Sequence, residues 1–318
     1  MDKKKKLKCP ECGITVKDEK KHRKKHKSEI GKSYTFIDLF AGIGGFHLAF
    51  HDLGARCVFA SEWNDYARKT YEENFKNMSP GLFSNDRFAG DIRKIKESEI
   101  PDFDILAAGF PCQAFSQAGY KKGFEDARGT LFFEIARILK EKQPKAFFLE
   151  NVRHLKNHDD GKTFEVIKRI LTEDLGYSFS FKVVKASDYG LPQRRPRLFM
   201  VGFKEHDVEF KFPEPTGLNK TVSDILGGKC KKEVGYTLRV GGRKSGIDDR
   251  RNWDAYRVDG EVVVIGPEEG KEFMGFPTYF KLPVSETQAM KQLGNSVAVT
   301  AVKMTAEEII KSLNNYYA

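Results

Sequence analysis

Cys112 stands in Gly109-Phe110-Pro111-Cys112-Gln113, directly behind the apolar run Phe103-Asp104-Ile105-Leu106-Ala107-Ala108. A thiol is only a few per cent ionised at neutral pH, yet its thiolate is an intrinsically strong nucleophile. Pro111 stiffens the chain just before it, and the Gly-rich polar stretch Ala114 to Gly123 has the composition of a lid. Glu150-Asn151-Val152 closes the next apolar run, and Gln193-Arg194-Arg195-Pro196-Arg197 leads into a later one. Cys112, Glu150, Arg195 and Arg197 at neighbouring strand ends would supply a nucleophile, a proton donor to a ring nitrogen and a binder for a carbonyl oxygen. Each has a plainer alternative. A cysteine is often an inert buried hydrophobe, the reading preferred for Cys57 and Cys230, and a Glu near arginines can be a structural ion pair.

The elements that would position these groups are legible as alternating patterns. Tyr34 to Phe40 reads as a buried strand, Ala41-Gly42-Ile43-Gly44-Gly45 as a tight turn, and Phe46, Ala49, Phe50 and Leu53 as the stripe of a helix ending near Gly54. Further strands are expected at Cys57 to Ser61, Phe103 to Ala108, Lys145 to Leu149, Phe179 to Val184 and Arg197 to Val201. Leu131, Ile135, Ile138 and Leu139 mark one intervening helix, and Phe164, Ile167 and Leu171 another, closed by Gly176. Such alternation implies an α/β fold, a mainly parallel sheet with helices on both faces, whose ligands bind at the C-terminal strand ends.

Acids fall at those ends. Glu62 lies 20 residues past Gly42, where a carboxylate can take both hydroxyls of a ribose; Trp63 can pack on a flat heteroaromatic ring, and Asp91 can reach an adenine amino group. Together with the glycine turn they point to an adenosine site. The G-x-G-G spacing departs from the G-x-G-x-x-G of dinucleotide folds, which argues against nicotinamide or flavin chemistry.

With 318 residues, 40% of them hydrophobic, and 26 Phe, the chain has enough apolar surface for a core and is not disordered. No run of 18 apolar residues suggests a membrane span, and the N-terminal lysine run has no apolar stretch behind it, so no secretory signal is expected. Five cysteines do not make a disulfide framework, which fits a reducing, cytoplasmic setting. Residues 1–33 hold 12 Lys and one Arg against five acids, a charge of +8, while the rest of the chain carries only +2. The arm is therefore either a solvated tail or a phosphate-binding segment whose grip weakens with salt. It also contains Cys9, Cys12, His22 and His26, spaced C-x2-C-x9-H-x3-H. Four ligands of these types can close a tetrahedral zinc site, although nine intervening residues is short for a common zinc finger. Free thiols in a Lys/His tail are the alternative.

The motifs Phe36 to Gly45 (FIDLFAGIGG), GFPCQ, Glu150-Asn151-Val152, Gln193 to Arg197 (QRRPR) and Gln292 to Val297 (QLGNSV) occur in one order. In this the chain resembles the bacterial cytosine-5 DNA methyltransferases of restriction-modification systems, over Phe36 to Phe203 and Phe273 to the C-terminus. The resemblance implies a methyltransferase-type (Rossmann-like) mixed sheet with S-adenosylmethionine lying along the glycine turn. By similarity its contacts would be Phe40, Gly42, Gly44, Glu62, Trp63, Asp91, Ile92, Pro111, Leu131, Asn295 and Ser296. It further implies that Cys112 attacks C6 of a flipped-out cytosine, that Glu150 holds or protonates N3, and that Arg195 and Arg197 support Glu150 and bind O2. Partners would be double-stranded DNA and, functionally only, a cognate endonuclease; no membrane partner is implied, and the enzyme is expected to be monomeric. Relatives acting on tRNA cytosine carry a Cys-Phe-Thr segment that this sequence lacks.

The expected organisation is a basic zinc-finger-like arm (1–33), a catalytic and cofactor domain (34–203), a small target-recognition region (204–270) and a returning C-terminal segment (271–318). Residues 204–270 match the family least. Gln113 and Ser116 beside the thiol, and Thr237, Arg239 and Arg243 in this region, are the candidate DNA contacts, with Arg250 and Arg251 beyond them. A solvated basic loop is the alternative for these arginines.

Overall fold

A computed structural model describes residues 7–8, 15–16, 33–111, 131–241 and 243–318. Its centre is a seven-stranded sheet of β1 (Thr35–Leu39), β2 (Arg56–Ser61), β3 (Phe88–Ala89), β4 (Ile105–Gly109), β5 (Ala146–Val152), β6 (Ser180–Lys185) and β7 (Pro196–Phe203). The spatial order is β3-β2-β1-β4-β5-β7-β6. Strands β1 to β5 pair in parallel, whereas β7 runs antiparallel to both β5 and β6. The reason is connection length. Parallel neighbours need a crossover of a dozen or more residues, usually a helix, and the short link from Lys185 to Pro196 has room only for a 3-10 turn, Ala186–Asp188, and the two-residue strand Tyr189–Gly190.

The inner strands are apolar on both sides because both sides are covered. Ile105 and Ala107 of β4 belong to one buried cluster, and Leu106 and Ala108 to the other. The helices are α1 (Gly45–Asp52), α2 (Asp65–Phe75), α3 (Leu131–Lys142), α4 (Lys162–Arg169), α5 (Pro267–Met274), α6 (Glu286–Asn295) and α7 (Val299–Tyr317). Helices α3 and α4 cover one face; α1, α2 and α7 cover the other, with α7 packed along α1. The α/β architecture with helices on both faces is thus as the alternation implies. Among the described residues no helix is long and apolar enough to cross a membrane.

The region after β7 does not build a separate core. Val222, Leu238, Trp253, Tyr256 and Ile265 join the same cluster as Phe273 and Met274 of α5. Its regular parts are the short strand Gly217–Leu218, a helical turn at Val222–Leu226 and a hairpin of β8 (Ala255–Val258) and β9 (Glu261–Val264). In the arm, Leu7–Lys8 pairs antiparallel with Thr15–Val16.

Close packing around β7 is tightest at Gly202, where an added Cβ would overlap the Ser178 carbonyl oxygen and the Phe147 ring. Overpacking of this kind costs about 1–3 kcal/mol. Gly202→Ala is therefore expected to lower the urea midpoint by that much stability, read from equilibrium unfolding; an unchanged midpoint would show that the strand can shift freely.

Candidate active site

The cofactor side of the site begins where β1 gives way to α1. Phe40 has φ 55, Gly42 φ 56 and Gly44 φ 87. A bulky residue in the left-handed region is uncommon, so the turn is strained at Phe40 and relieved by glycine on either side of Ile43. Gly44 leaves room for the Phe75 ring of α2, whereas nothing lies within 4 Å of where a Gly42 Cβ would point. Gly45 presses on the C-terminal segment: its Cβ would come 2.6 Å from Val297 and 3.2 Å from the Ser296 hydroxyl.

Glu62 follows β2 and turns its carboxylate onto this loop, accepting hydrogen bonds from the Gly42 amide (2.8 Å) and the Asn64 amide (2.8 Å). Burial pushes its carboxyl above the usual range, against the pull of those amides. Trp63 beside it is 65% exposed, with the Arg93 guanidinium over its ring at 5.6 Å. Asp91, just past β3, caps a 3-10 turn and takes a two-pronged bond from Arg93, which holds its carboxyl below the usual range. Ile92 is buried, Pro111 is exposed at the end of β4, and Leu131 opens α3. Asn295 is exposed and Ser296 buried where α6 ends, so the Gly-Asn-Ser triplet closes a helix there. A carboxylate aimed at a glycine turn, an exposed indole and a second acid one strand over fit an adenosine-bearing cofactor.

The reactive side is built on β4, β5 and β7. Gly109 pairs with Glu150, and the missing side chain leaves the Glu150 carboxylate 3.5 Å from its Cβ position. Arg197 sits two residues before Phe199, the cross-strand partner of Glu150, and so shares its face. The Arg197 Nε lies 3.0 Å from Glu150 Oε1, with both side chains largely buried. Burial raises the Glu150 carboxyl, and Arg197, then Arg195, offset this only in part, leaving it above the usual carboxylate range.

Arg195 has different partners. It is 1% exposed with φ 29, and its guanidinium donates to the carbonyls of Leu238 (3.1 Å), Gly294 (2.9 Å) and Ser296. Arg197 thus forms the ion pair with Glu150, while Arg195 acts on that carboxylate through its nearby charge. Three residues given no role by the sequence do positioning work. Asn151 donates to the Phe110 carbonyl (2.9 Å), fixing the chain just before Cys112. Gln193 bonds both the Phe273 carbonyl and the Leu238 amide, and Gln292 bonds Thr70 and the Tyr66 carbonyl. Their presence inside the motifs was the available signal.

On the target side, Thr237 accepts a bond from the Arg195 amide (3.1 Å), and Arg239 is exposed, reaching the Arg251 carbonyl. Arg243 is engaged internally by Glu286, the Ile265 carbonyl and the fully buried Asp254. Cys112, Gln113 and Ser116, like Cys9, Cys12, His22 and His26, lie outside the described residues. Among the described residues no group of three or more His, Cys, Asp or Glu could hold a metal.

A parallel sheet reversed at β7, opened by a glycine turn and edged with acids, defines an S-adenosylmethionine-dependent methyltransferase fold. The family model for C-5 cytosine-specific DNA methylases matches residues 34–245 and 243–311. The Type II methyltransferase M.SsoII of Shigella sonnei is 42% identical over 318 aligned residues, covering 89% of this chain and 81% of the relative. M.HhaI of Haemophilus parahaemolyticus is 40% identical, covering 88% and 95%. A putative DNA modification methyltransferase encoded in an E. coli prophage shares the fold, with a TM-score of 0.66 at 22% identity over 89% of this chain and all of that one. The chain belongs to the C-5 cytosine-specific DNA methylases: it moves a methyl group from S-adenosylmethionine to C5 of cytosine in DNA.

Glu62→Gln keeps the shape of the side chain at the glycine turn and removes its charge. Hydrogen bonds to charged groups are worth roughly 1.5–3 kcal/mol, so affinity for S-adenosylhomocysteine, measured by titration calorimetry, is expected to fall about tenfold or more. Unchanged affinity would take Glu62 out of the cofactor site.

Proposed function

We propose that the protein is the modification enzyme of a type II restriction-modification system, methylating one cytosine in a short duplex site through a transient bond from Cys112. The observation that carries this reading is the buried Glu150–Arg197 pair at the rim where β4 delivers Pro111 and the next residue is the thiol. Cytosine C5 is too weak a nucleophile to take a methyl group unaided. A bond from the Cys112 sulfur to C6 pushes electrons toward C5, provided N3 receives a proton or a strong hydrogen bond. Glu150, with its carboxyl raised by burial, is suited to bring that proton. Arg197 holds Glu150 in place and would face O2. S-adenosylmethionine, when bound, supplies an electrophilic methyl on its sulfonium. Loss of the C5 proton and of the Cys112 sulfur then restores the ring.

The target base must leave the duplex to meet these groups. Residues 114–130 would close over it, and Gln113, Ser116, Thr237 and Arg239 would touch the DNA. Arg243 would serve instead by bracing the region that carries Arg239. The protein is expected to act as a monomer in the cytoplasm. Phe40, Gly42, Gly44, Trp63, Asp91, Ile92, Pro111, Leu131, Asn295 and Ser296 complete the proposed cofactor contacts around Glu62.

Nucleoside analysis of DNA treated with the enzyme and S-adenosylmethionine should show 5-methyldeoxycytidine. Cys112→Ser should abolish it, and Glu150→Gln should cut kcat by about 10²- to 10⁴-fold, the usual worth of positioned proton transfer. Methyl label on the exocyclic N4, or full turnover by Cys112→Ser, would sink the mechanism.

The arm is proposed to hold one zinc through Cys9, Cys12, His22 and His26. The antiparallel pair Leu7–Lys8 with Thr15–Val16 flanks the Cys-Pro-Glu-Cys segment in sequence, as a metal-closed hairpin requires. Elemental analysis should find about one zinc per chain, lost in the Cys9→Ser/Cys12→Ser double variant; the same near-zero content in both ends the proposal.

A further inference from the structure

We propose that Arg195 is a positioning residue that couples the cofactor side of the site to the segment from Thr237 to Val240, so that cofactor binding and DNA binding strengthen one another through it. This rests on the roles given above to Ser296 and Asn295 at the cofactor and to Thr237 and Arg239 at the DNA.

Arg195 joins two segments remote from it and from each other in sequence. Leu238 is 43 residues on, Gly294 is 99 and Ser296 is 101. The side chain is 1% exposed, and its hydrogen bonds are to carbonyl oxygens, while its Nε has no hydrogen-bond partner among the described residues. A buried cation held by carbonyl oxygens depends on every one of them, because withdrawing any leaves charge uncompensated in a low dielectric. Seating one segment therefore favours seating the other. The two segments also touch directly. A Cβ on Gly294 would come 2.7 Å from the Arg239 carbonyl carbon and 2.9 Å from its oxygen. On the far side, Ser296 and Val297 bear on Gly45 of the cofactor turn. The line of contact thus runs from that turn, through residues 294–297 and Arg195, to the segment from Thr237 to Val240. Arg195 holds this side chain on a strained backbone, with φ 29, one residue before β7 begins.

Coupling of two ligands is reciprocal and commonly amounts to about 5- to 150-fold. The test measures duplex affinity with and without saturating S-adenosylhomocysteine, and cofactor affinity with and without duplex, on the full chain. The duplex is one whose site has been identified by base-conversion sequencing of methylated plasmid. In the wild type each ligand should tighten the other about tenfold. Two variants disturb the junction differently: Arg195→Lys cannot reach all three carbonyls, and Gly294→Ala pushes the segments apart with the cation intact. In both, the coupling factor should fall toward one, while S-adenosylhomocysteine alone still binds within about threefold of wild type, a change of under one tenfold step. The KM for DNA should rise more than kcat falls. Wild-type coupling retained in both variants overturns the proposal. So does loss of cofactor binding outright in both, which would make Arg195 a structural brace. A wild type that methylates but shows no coupling overturns this inference alone; one that neither binds cofactor nor methylates overturns the functional reading with it.

Discussion

A carboxylate taken out of water is costly unless something nearby compensates it. Glu150 occupies that position at the end of β5, and much of the surrounding geometry can be read as its compensation. Gly109 yields space on one side, and β7 supplies Arg197 on the other. The compensation is incomplete, since burial still dominates the carboxyl. That imbalance is useful. A fully satisfied ion pair would be inert, whereas one short of balance gains by handing a proton to a heteroaromatic nitrogen.

The cofactor side follows a different physical logic, one of backbone shape rather than charge. Positive φ values at Phe40, Gly42 and Gly44 bend the chain sharply after β1, and Glu62 pins the bend by accepting a hydrogen bond from the Gly42 amide. The same turn is pressed by Ser296 and Val297 from the far end of the chain. Pocket walls therefore come from residues more than 200 positions apart, and α7 lying along α1 holds them together.

Features that depend on local sequence were legible without coordinates: the glycine turn, the acids after β2 and β3, the motif carrying Cys112, and the apolar runs of the inner strands. Strand direction was not, because the reversal of β7 follows from a short connection whose partner strands are settled only by pairing. The different partners of the two arginines of QRRPR were not legible either. Residues two apart share a face in an extended strand, but β7 begins at Pro196 and Arg195 precedes it with φ 29, so only Arg197 meets Glu150. Arg243 looked like a free basic contact because its partners, Asp254 and Glu286, are 11 and 43 residues away. No window of local sequence reveals such pairings.

The reversal of β7 also decides how the chain travels. It starts at the rim of the cleft and ends eight residues later at the opposite edge of the sheet, beside Ala146. The chain must then climb back before Gly235 to Leu238 is clasped by Gln193 and Arg195, and it leaves the region again through α5. The stretch between Arg239 and Ile265 is thus fastened at both feet, and Trp253 and Tyr256 sink from it into the common core. The Tyr256 ring lies on Phe273 of α5, so a change in this stretch is felt at the very helix by which the chain leaves it.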